Sequence, residues 1–195
     1  MSLAGKRIGF ALTGSHCTLG EVIPQIQRLV EAGAEVIPIL SESVSQTDTR
    51  FGPAEKWKDE LLRITGKKPF TTIVEAETIG PKKLLDVLVI APCTGNTLAK
   101  LANAITDSPV LMAAKAQLRN RRPVVIAIST NDGLGNNAKN LGMLLNMRNI
   151  YMVPFGQDAP HDKQASLVAR MESIPETVLE ALEGRQIQPV LLGAR

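Results

Sequence analysis

The 195-residue chain has few aromatic residues and only two cysteines, and each shortage narrows the kind of protein it can be. Aromatic residues make up 3% of the sequence, so aliphatic residues must fill the core, and the 44% hydrophobic fraction is large enough for one. Cys17 and Cys93 form no CxxC pair and show no metal-ligand spacing. We therefore expect no metal site and a reducing, cytoplasmic setting.

Long apolar runs are also missing. None reaches the ~18 residues that a membrane span needs, and the first residues lack the apolar segment and cleavage site of a secretory signal. The net charge of +3 suits anionic small molecules. However, no dense Lys/Arg stripe is interleaved with aromatic residues, as nucleic-acid-binding surfaces require. We expect neither a membrane nor a nucleic acid as a partner.

Predicted strands alternate with predicted helices along the chain. Apolar, often β-branched runs predict strands at 6–12, 35–40, 71–74, 86–90, 123–128 and 150–153, and apolar residues at helical spacing predict helices at 19–32, 53–65, 98–105, 109–120, 138–148 and 164–183. This alternation is typical of a doubly wound α/β fold, a parallel sheet with helices on both faces. We predict one Rossmann-like or flavodoxin-like domain over residues 1–183 and a C-terminal tail over 184–195.

Three polar loops follow predicted strands, at residues 13–18, 93–97 and 129–137. The carboxyl ends of parallel strands share one edge of the sheet, which is where ligands bind in this fold. Free N–H groups and the helix dipole suit an anion there. The first loop lacks the Gly-Lys-Ser/Thr of a P-loop and the GxGxxG of a dinucleotide site, which favours a monophosphate. Taken singly, each loop is equally well explained as an ordinary capped turn.

The loop at 93–97 begins a motif that resembles the signature of a known family. Residues 91–107 read APCTGNTLAKLANAITD, which is similar to the PASANTxAKxAxGxxD motif of the FMN-binding flavoproteins. That family includes cysteine-type decarboxylases and flavin prenyltransferases. The order of Thr-Gly-Ser at 13–15 and Asn-Thr at 96–97 also matches. The resemblance implies an FMN site formed by Thr13, Gly14, Ser15, Ser41, Ser43, Pro92, Thr94, Asn96 and Thr97.

The segments at 129–137 and 149–158 are most similar to a branch of that family that forms the B subunit of a two-subunit synthase. This resemblance implies oxidation of dihydrodipicolinate to dipicolinate during sporulation. It also implies a separate nicotinamide-dependent A subunit, with NADP on either chain, and a homo-oligomer built from trimers. The dicarboxylate or the flavin edge would be bound by Asn131, Asp132, Asn136 and Asn137. No catalytic residue is assigned.

Other interpretations of these segments stay open. Residues 133–138 read GLGNNA, which fits the outline of a dinucleotide fingerprint, although a flexible substrate loop is favoured. A decarboxylase or prenyltransferase would share the fold, but no histidine lies between His16 and His161, and an Asn/Gly-rich loop replaces the PxMNxxMW clamp of the decarboxylases. The chain could also be a non-catalytic flavoprotein that stabilises its partner. Cys17 and Cys93 are interpreted as inert thiols rather than a redox pair.

Overall fold

The computed structural model describes residues 2–193, and a parallel sheet forms its centre. In this sheet β1 (Arg7–Leu12) lies between β2 (Glu35–Leu40) and β3 (Val87–Cys93), β4 (Val124–Thr130) pairs with β3, and β5 (Ile150–Met152) pairs with β4. The order 2-1-3-4-5 is the flavodoxin-like form of a doubly wound sheet. The α/β fold predicted from the sequence is confirmed.

Two short strands extend this sheet beyond the end of β4. The strand β7 (Leu167–Ala169) pairs antiparallel with the last residues of β4, and β6 (Phe155–Gly156) pairs antiparallel with β7. These additions place the segment 155–169 beside the carboxyl edge of the sheet. The edge at which ligands bind in doubly wound folds is therefore walled on one side.

Helices flank the sheet and supply the rest of the core. Their bounds are α1 (Leu19–Glu31), α2 (Glu42–Gln46), α3 (Ala54–Thr65), α4 (Ile73–Glu77), α5 (Ile79–Lys82), α6 (Gly95–Ala102), α7 (Pro109–Arg119), α8 (Ala138–Leu145) and α9 (Ile174–Leu182), with 3₁₀ turns at His16–Thr18 and Met171–Ser173. In α1 the buried residues Val22, Ile26 and Leu29 recur at helical spacing. No helix within residues 2–193 is long and apolar enough to cross a membrane.

The strand β3 continues further than we predict from the sequence. We expect it to end before Pro92, because a proline donates no hydrogen bond to a sheet. It runs instead to Cys93, and its register with β4 shifts between Ile90 and Cys93. A proline is tolerated at such an irregularity, since no ladder hydrogen bond is lost there. The polar loop after β3 therefore starts at Thr94.

Two further predictions of secondary structure are wrong. The predicted strand at 71–74 is the start of α4, where Thr72 and Glu75 form a reciprocal capping box. Its Thr-x-x-Glu pattern is a helix signal that outweighs the β-branched residues around it. The predicted helix at 164–183 is replaced by β7 and a 3₁₀ turn as far as Ser173, and only α9 is helical.

The predicted tail contacts the body of the protein. The side-chain amide of Gln186 accepts a hydrogen bond from the N–H of Met152 and donates one to its carbonyl, both at 2.7 Å. Further on, the N–H of Leu192 donates to the carbonyl of Phe155 at 2.9 Å. The domain limits at 183 and 184 stay a prediction, and residues 1, 194 and 195 lie outside the described residues.

At the amino edge of the sheet, Asp86 joins β1 to the start of β4. Its carboxylate accepts hydrogen bonds from the backbone N–H of Arg7 at 2.9 Å and from the Arg7 guanidinium at 3.1 Å, and it lies 3.4 Å from Arg122. Burial raises the pKa of Asp86, but these hydrogen bonds and positive charges outweigh it, so the net pKa lies below its ordinary value.

We expect Asp86→Asn to lower the free energy of unfolding at pH 7 by about 1–2 kcal/mol, since charge-assisted hydrogen bonds are lost. Because the folded-state pKa is depressed, this contribution is fully present above about pH 4 and is lost as the pH falls through the folded value. Urea unfolding of both proteins between pH 7 and pH 3 tests this. The exposed Asp59→Asn variant on α3 is the control, and a difference that stays constant with pH would contradict the prediction.

Candidate functional site

The loops after β1 and β3 are joined by one buried hydroxyl. The side chain of Thr13 is 1% exposed, and its Oγ1 donates to the carbonyl of Pro92 at 2.6 Å and accepts from the N–H of Thr94 at 3.0 Å. These hydrogen bonds connect residues about 80 positions apart in the chain. The predicted meeting of two polar loops at the carboxyl edge is therefore present in the structure.

The third polar loop, after β4, is fixed to the first by two more hydroxyls. The hydroxyl of Ser15 donates to the carbonyl of Ser129 at 2.9 Å, and the hydroxyls of Thr18 and Ser129 lie 3.0 Å apart. The N–H of Ser15 donates to the carbonyl of Thr13 at 2.8 Å. Both donors of Ser15 are thus used within the protein. The predicted place of Ser15 in an FMN site stays a prediction, and Ser15 lines the large cleft.

Two clefts open along this edge, with Thr94 and Asn96 lining both. The large cleft, of about 620 Å³, is lined mainly by Ser15, Cys17, Thr18, Glu21, Ser129, Thr130, Asn131, Asp132, Asp158 and Lys163. The small cleft, of about 320 Å³, is lined by Thr13, Gly14, Ser41, Glu42, Ser43, Thr97, Lys100, Asp107, Ser108 and Leu111. Of the predicted cofactor residues, all but the buried Pro92 line one cleft or the other.

The small cleft presents hydrogen-bond donors with no partner among residues 2–193. The helix α6 begins there, with Thr94 as its N-cap, whose hydroxyl accepts from the N–H of Thr97 at 3.2 Å. The N–H group of Asn96 has no acceptor in this part of the chain, and neither has that of Gly95, which lines the large cleft. The buried hydroxyl of Ser41 has no partner there either. Together with the helix dipole, these groups suit an anion.

Free positive charge is scarce in the small cleft. Among the described residues, Lys100 is its only lining cation, and its ammonium group lies 2.6 Å from the Asp107 carboxylate. Glu42 adds a negative charge to the same wall. An anion in this cleft would therefore be held by N–H and hydroxyl donors more than by a cationic side chain.

The large cleft is acidic. Glu21, Asp132 and Asp158 line it, and its lysine, Lys163, lies 3.2 Å from the Asp158 carboxylate. Burial raises the pKa of Asp158, but hydrogen bonds from Ser166 and Lys163 outweigh it, and the net pKa is lowered. This wall by itself repels a dianionic ligand.

The four predicted substrate residues lie in different surroundings. Asn131 and Asp132 line the large cleft, whereas Asn136 is exposed outside both clefts and Asn137 is buried. The carboxylate of Asp132 accepts from the Thr130 hydroxyl at 2.5 Å and from the Asn137 amide at 2.8 Å. Asp132 and Asn137 therefore hold the loop after β4 in place, which leaves Asn131 as the exposed amide that this loop presents to the large cleft.

Packing accounts for the GLGNNA segment without a nucleotide. A Cβ on Gly133 would lie 2.7 Å from the side chain of Leu167, so the glycine makes room for β7. Two N–H groups at the start of α8 are used internally, since Asn137 donates to the carbonyl of Asp132 and Ala138 donates to the carbonyl of Gly135. A fingerprint loop keeps such groups for a pyrophosphate. The geometry therefore favours a structural loop.

The two cysteines are free thiols in different surroundings. Cys17 is exposed, whereas Cys93 is buried in β3. Burial raises the pKa of the Cys93 thiol to about 12, so it stays protonated at neutral pH. This agrees with an inert role for Cys93.

His16, to which the sequence assigns no role, contacts the small-cleft residue Ser43. Its Nε2 lies 3.1 Å from the Ser43 hydroxyl and joins the loop after β1 to the start of α2. The available signal was position alone, because His16 directly follows the Thr-Gly-Ser turn. The long-range contact with Ser43 could not be read from the sequence.

Comparison with known proteins identifies the family to which this chain belongs. Residues 1–182 match the family described as Flavoprotein. The chain belongs to the Flavoprotein family. The match spans nearly the whole chain, which confirms the resemblance seen in the motif at residues 91–107 and extends it to the segments after β4.

Among proteins similar to this chain, the B subunit of dipicolinate synthase from Bacillus subtilis (strain 168) is 55% identical over 191 residues, 98% of this chain and 96% of that one. The crystal structure of the B subunit of dipicolinate synthase from Bacillus halodurans C is also 55% identical, with a TM-score of 0.92 over 100% of both chains. The FMN-dependent cysteine decarboxylase SpaF has the same fold, with a TM-score of 0.66 and 21% identity over 93% of this chain and 99% of that one.

Proposed function

We propose that this chain binds FMN and acts as the B subunit of a dipicolinate synthase that oxidises dihydrodipicolinate to dipicolinate. The observation that carries the cofactor assignment is the small cleft, where the free N–H group of Asn96 meets the loops after β1 and β2. Membership of the Flavoprotein family and 55% identity to the B subunit of dipicolinate synthase support the two parts of the proposal.

The residues of the small cleft fit the phosphate end of FMN. The unpartnered hydroxyl of Ser41 and the N–H groups at the start of α6 would donate to phosphate oxygens, and Thr97 would contact the adjoining polyol. Thr94 and Asn96 line both clefts, so a ligand that spans them would pass these two residues. The combined cleft volume lies in the range of about 300–1,000 Å³ that ligand pockets occupy.

In this reaction the substrate ring loses two electrons and two protons and becomes aromatic, and bound flavin or nicotinamide supplies the electron acceptor. This chain orients the reacting groups and keeps water from them. The substrate's two carboxylates need positive charge, but the lysines lining both clefts are already paired with aspartates. We therefore assign that charge, and NADP, to the nicotinamide-dependent A subunit, with Asn131 as the contact from this chain.

Self-association into trimers is part of the same proposal. A third cleft, of about 310 Å³, is lined largely by apolar residues that include Leu101, Ile105, Leu118 and Met147. Ile105 is 46% exposed and Met147 is 39% exposed. Burial of such a surface stabilises an oligomer.

The two free thiols also suit the reducing cytoplasm predicted from the sequence.

We expect the purified chain to bind FMN. Asn96→Ala keeps the backbone N–H but removes the exposed side-chain amide that lines both clefts, so it should weaken FMN binding about tenfold through loss of one hydrogen bond from that amide. Titration of FMN followed by flavin fluorescence measures both. The exposed Asn136→Ala variant lies outside both clefts and should bind as the unchanged protein does. Equal losses in the two variants, or no FMN binding at all, would contradict the cofactor assignment.

A turnover assay separates the oxidoreductase from its rivals. We expect dihydrodipicolinate to be oxidised when the chain is combined with the A subunit and NADP, and much more slowly when either chain is omitted. Oxidation at the same rate by the A subunit alone would show that this chain only stabilises its partner and takes no part in the reaction. Loss of CO₂ from a cysteine-containing peptide would instead favour the decarboxylases of this family.

A further inference from the structure

Two polar side chains converge above Gly14 in the small cleft. His16 lies in the 3₁₀ turn after β1, and Ser43 lies in the first turn of α2 after β2. The Nε2 of His16 is 3.1 Å from the Ser43 hydroxyl. A Cβ added to Gly14 would lie 2.7 Å from that hydroxyl and 3.8 Å from the imidazole Nε2. The imidazole of His16 therefore contacts a hydroxyl of the cleft wall directly.

The burial of the other ring nitrogen decides which way this hydrogen bond runs. Nδ1 of His16 is buried and has no partner among residues 2–193. A proton on Nδ1 would leave a buried N–H donor unpaired, which folded proteins rarely tolerate. A proton on Nε2 leaves only an unpaired acceptor at Nδ1. We therefore assign the proton to Nε2, which donates to the oxygen of Ser43.

This direction determines what Ser43 can offer a ligand. A hydroxyl has one proton to donate. Because Nε2–H donates to the oxygen, the proton of Ser43 is free to point into the small cleft. With the opposite tautomer, the Ser43 proton would be spent on the imidazole, and only lone pairs would face the cleft. Phosphate oxygens accept hydrogen bonds from donors and are repelled by lone pairs.

We propose that His16 is a positioning residue for FMN. Its hydrogen bond to the oxygen of Ser43 leaves the proton of that hydroxyl free to donate to the flavin phosphate. This inference rests on the proposed binding of FMN and adds a residue to it. The small cleft needs such donors, since Lys100 is paired with Asp107 and Glu42 is acidic. Burial lowers the pKa of His16, so the neutral imidazole acts as a donor and adds no charge at neutral pH.

The test compares FMN with riboflavin, which lacks the phosphate. His16→Phe keeps a ring but loses the donor, and His16→Gln keeps an N–H₂ donor that reaches Ser43. We expect His16→Phe to weaken FMN binding about tenfold and His16→Gln by no more than about threefold, which is the range for one hydrogen bond to a charged group. Riboflavin affinity should stay unchanged in both variants. His161→Phe, the same change at an exposed histidine that lines neither cleft, is the control.

A second comparison shows whether His16 acts through Ser43. In the Ser43→Ala background, adding His16→Phe should have no further effect on FMN affinity. Should the phenyl ring lower the melting temperature, His16→Asn replaces it, because its shorter amide does not reach Ser43.

The outcomes distinguish a failure of this inference from a failure of the proposed FMN binding. If the unchanged protein binds neither flavin, the proposed function fails, and the role of His16 fails with it. If the protein binds FMN and His16→Phe binds it equally well, only the role of His16 is overturned. Equal losses for FMN and riboflavin, or additive losses in the double variant, overturn it as well.

Discussion

Replacing Thr13 by valine is expected to lower the free energy of unfolding by about 2–4 kcal/mol and to reduce FMN affinity more than tenfold. Valine has nearly the same shape, so the change removes the hydroxyl and little else. The buried carbonyl of Pro92 and the N–H of Thr94 would lose their partner at Thr13 Oγ1. Each unsatisfied buried group costs about 1–3 kcal/mol. The start of α6 would also lose its tie to the loop after β1.

Urea unfolding and flavin titration of the same samples measure both effects. The matched control is Thr177→Val, because Thr177 is also fully buried but only donates to the carbonyl of Ser173, the N-cap residue of its own helix α9. This control should lose less stability and no FMN affinity. If Thr13→Val binds FMN as tightly as the control does, the hydroxyl does not align the two loops.

Gly95→Ala is the second change with a large expected effect. The added Cβ would lie 2.5 Å from the Thr130 hydroxyl and 2.7 Å from both the Asn137 amide and the Asp132 carboxylate. These three groups are hydrogen-bonded to one another, so none can move without breaking the cluster. Overpacking of this kind costs about 1–3 kcal/mol. It would also shift the first turn of α6, and with it the free N–H group of Asn96 in the small cleft.

Thermal unfolding and FMN titration test this prediction against a matched glycine. Gly142 lies in the exposed part of α8, and a Cβ there would meet no atom within 4 Å. Gly142→Ala should therefore leave FMN affinity unchanged and raise stability by up to about 1 kcal/mol. A Gly95→Ala protein as stable as Gly142→Ala, with unchanged FMN binding, would show that the close approach of α6 to Asp132 has no function.

The sequence predicts the central sheet well because its strands are long, apolar runs buried on both faces. β2 is found where it is predicted, at Glu35–Leu40, and β1 within one residue. Short elements were harder, since their state depends on neighbours. β7 is a strand because it pairs with the end of β4, and the β-branched 71–74 segment leads into α4 because Thr72 and Glu75 cap each other.

The candidate site shows the same division. Its three loops are predictable, since they follow strands whose carboxyl ends share one edge. How each side chain is used there could not be predicted, because it depends on partners far away in the chain. The hydroxyl of Ser15 donates to the carbonyl of Ser129. The carboxylate of Asp132 accepts hydrogen bonds from Thr130 and Asn137, and the imidazole of His16 is hydrogen-bonded to Ser43.

The location of the phosphate in a crystal structure of the FMN complex is the most direct test of the central claim that distant loops jointly bind one phosphate. We predict that its oxygens lie in the small cleft, within hydrogen-bonding distance of the Asn96 N–H and the Ser43 hydroxyl. A phosphate in the acidic large cleft, or bound to only one of the two loops, would contradict the claim.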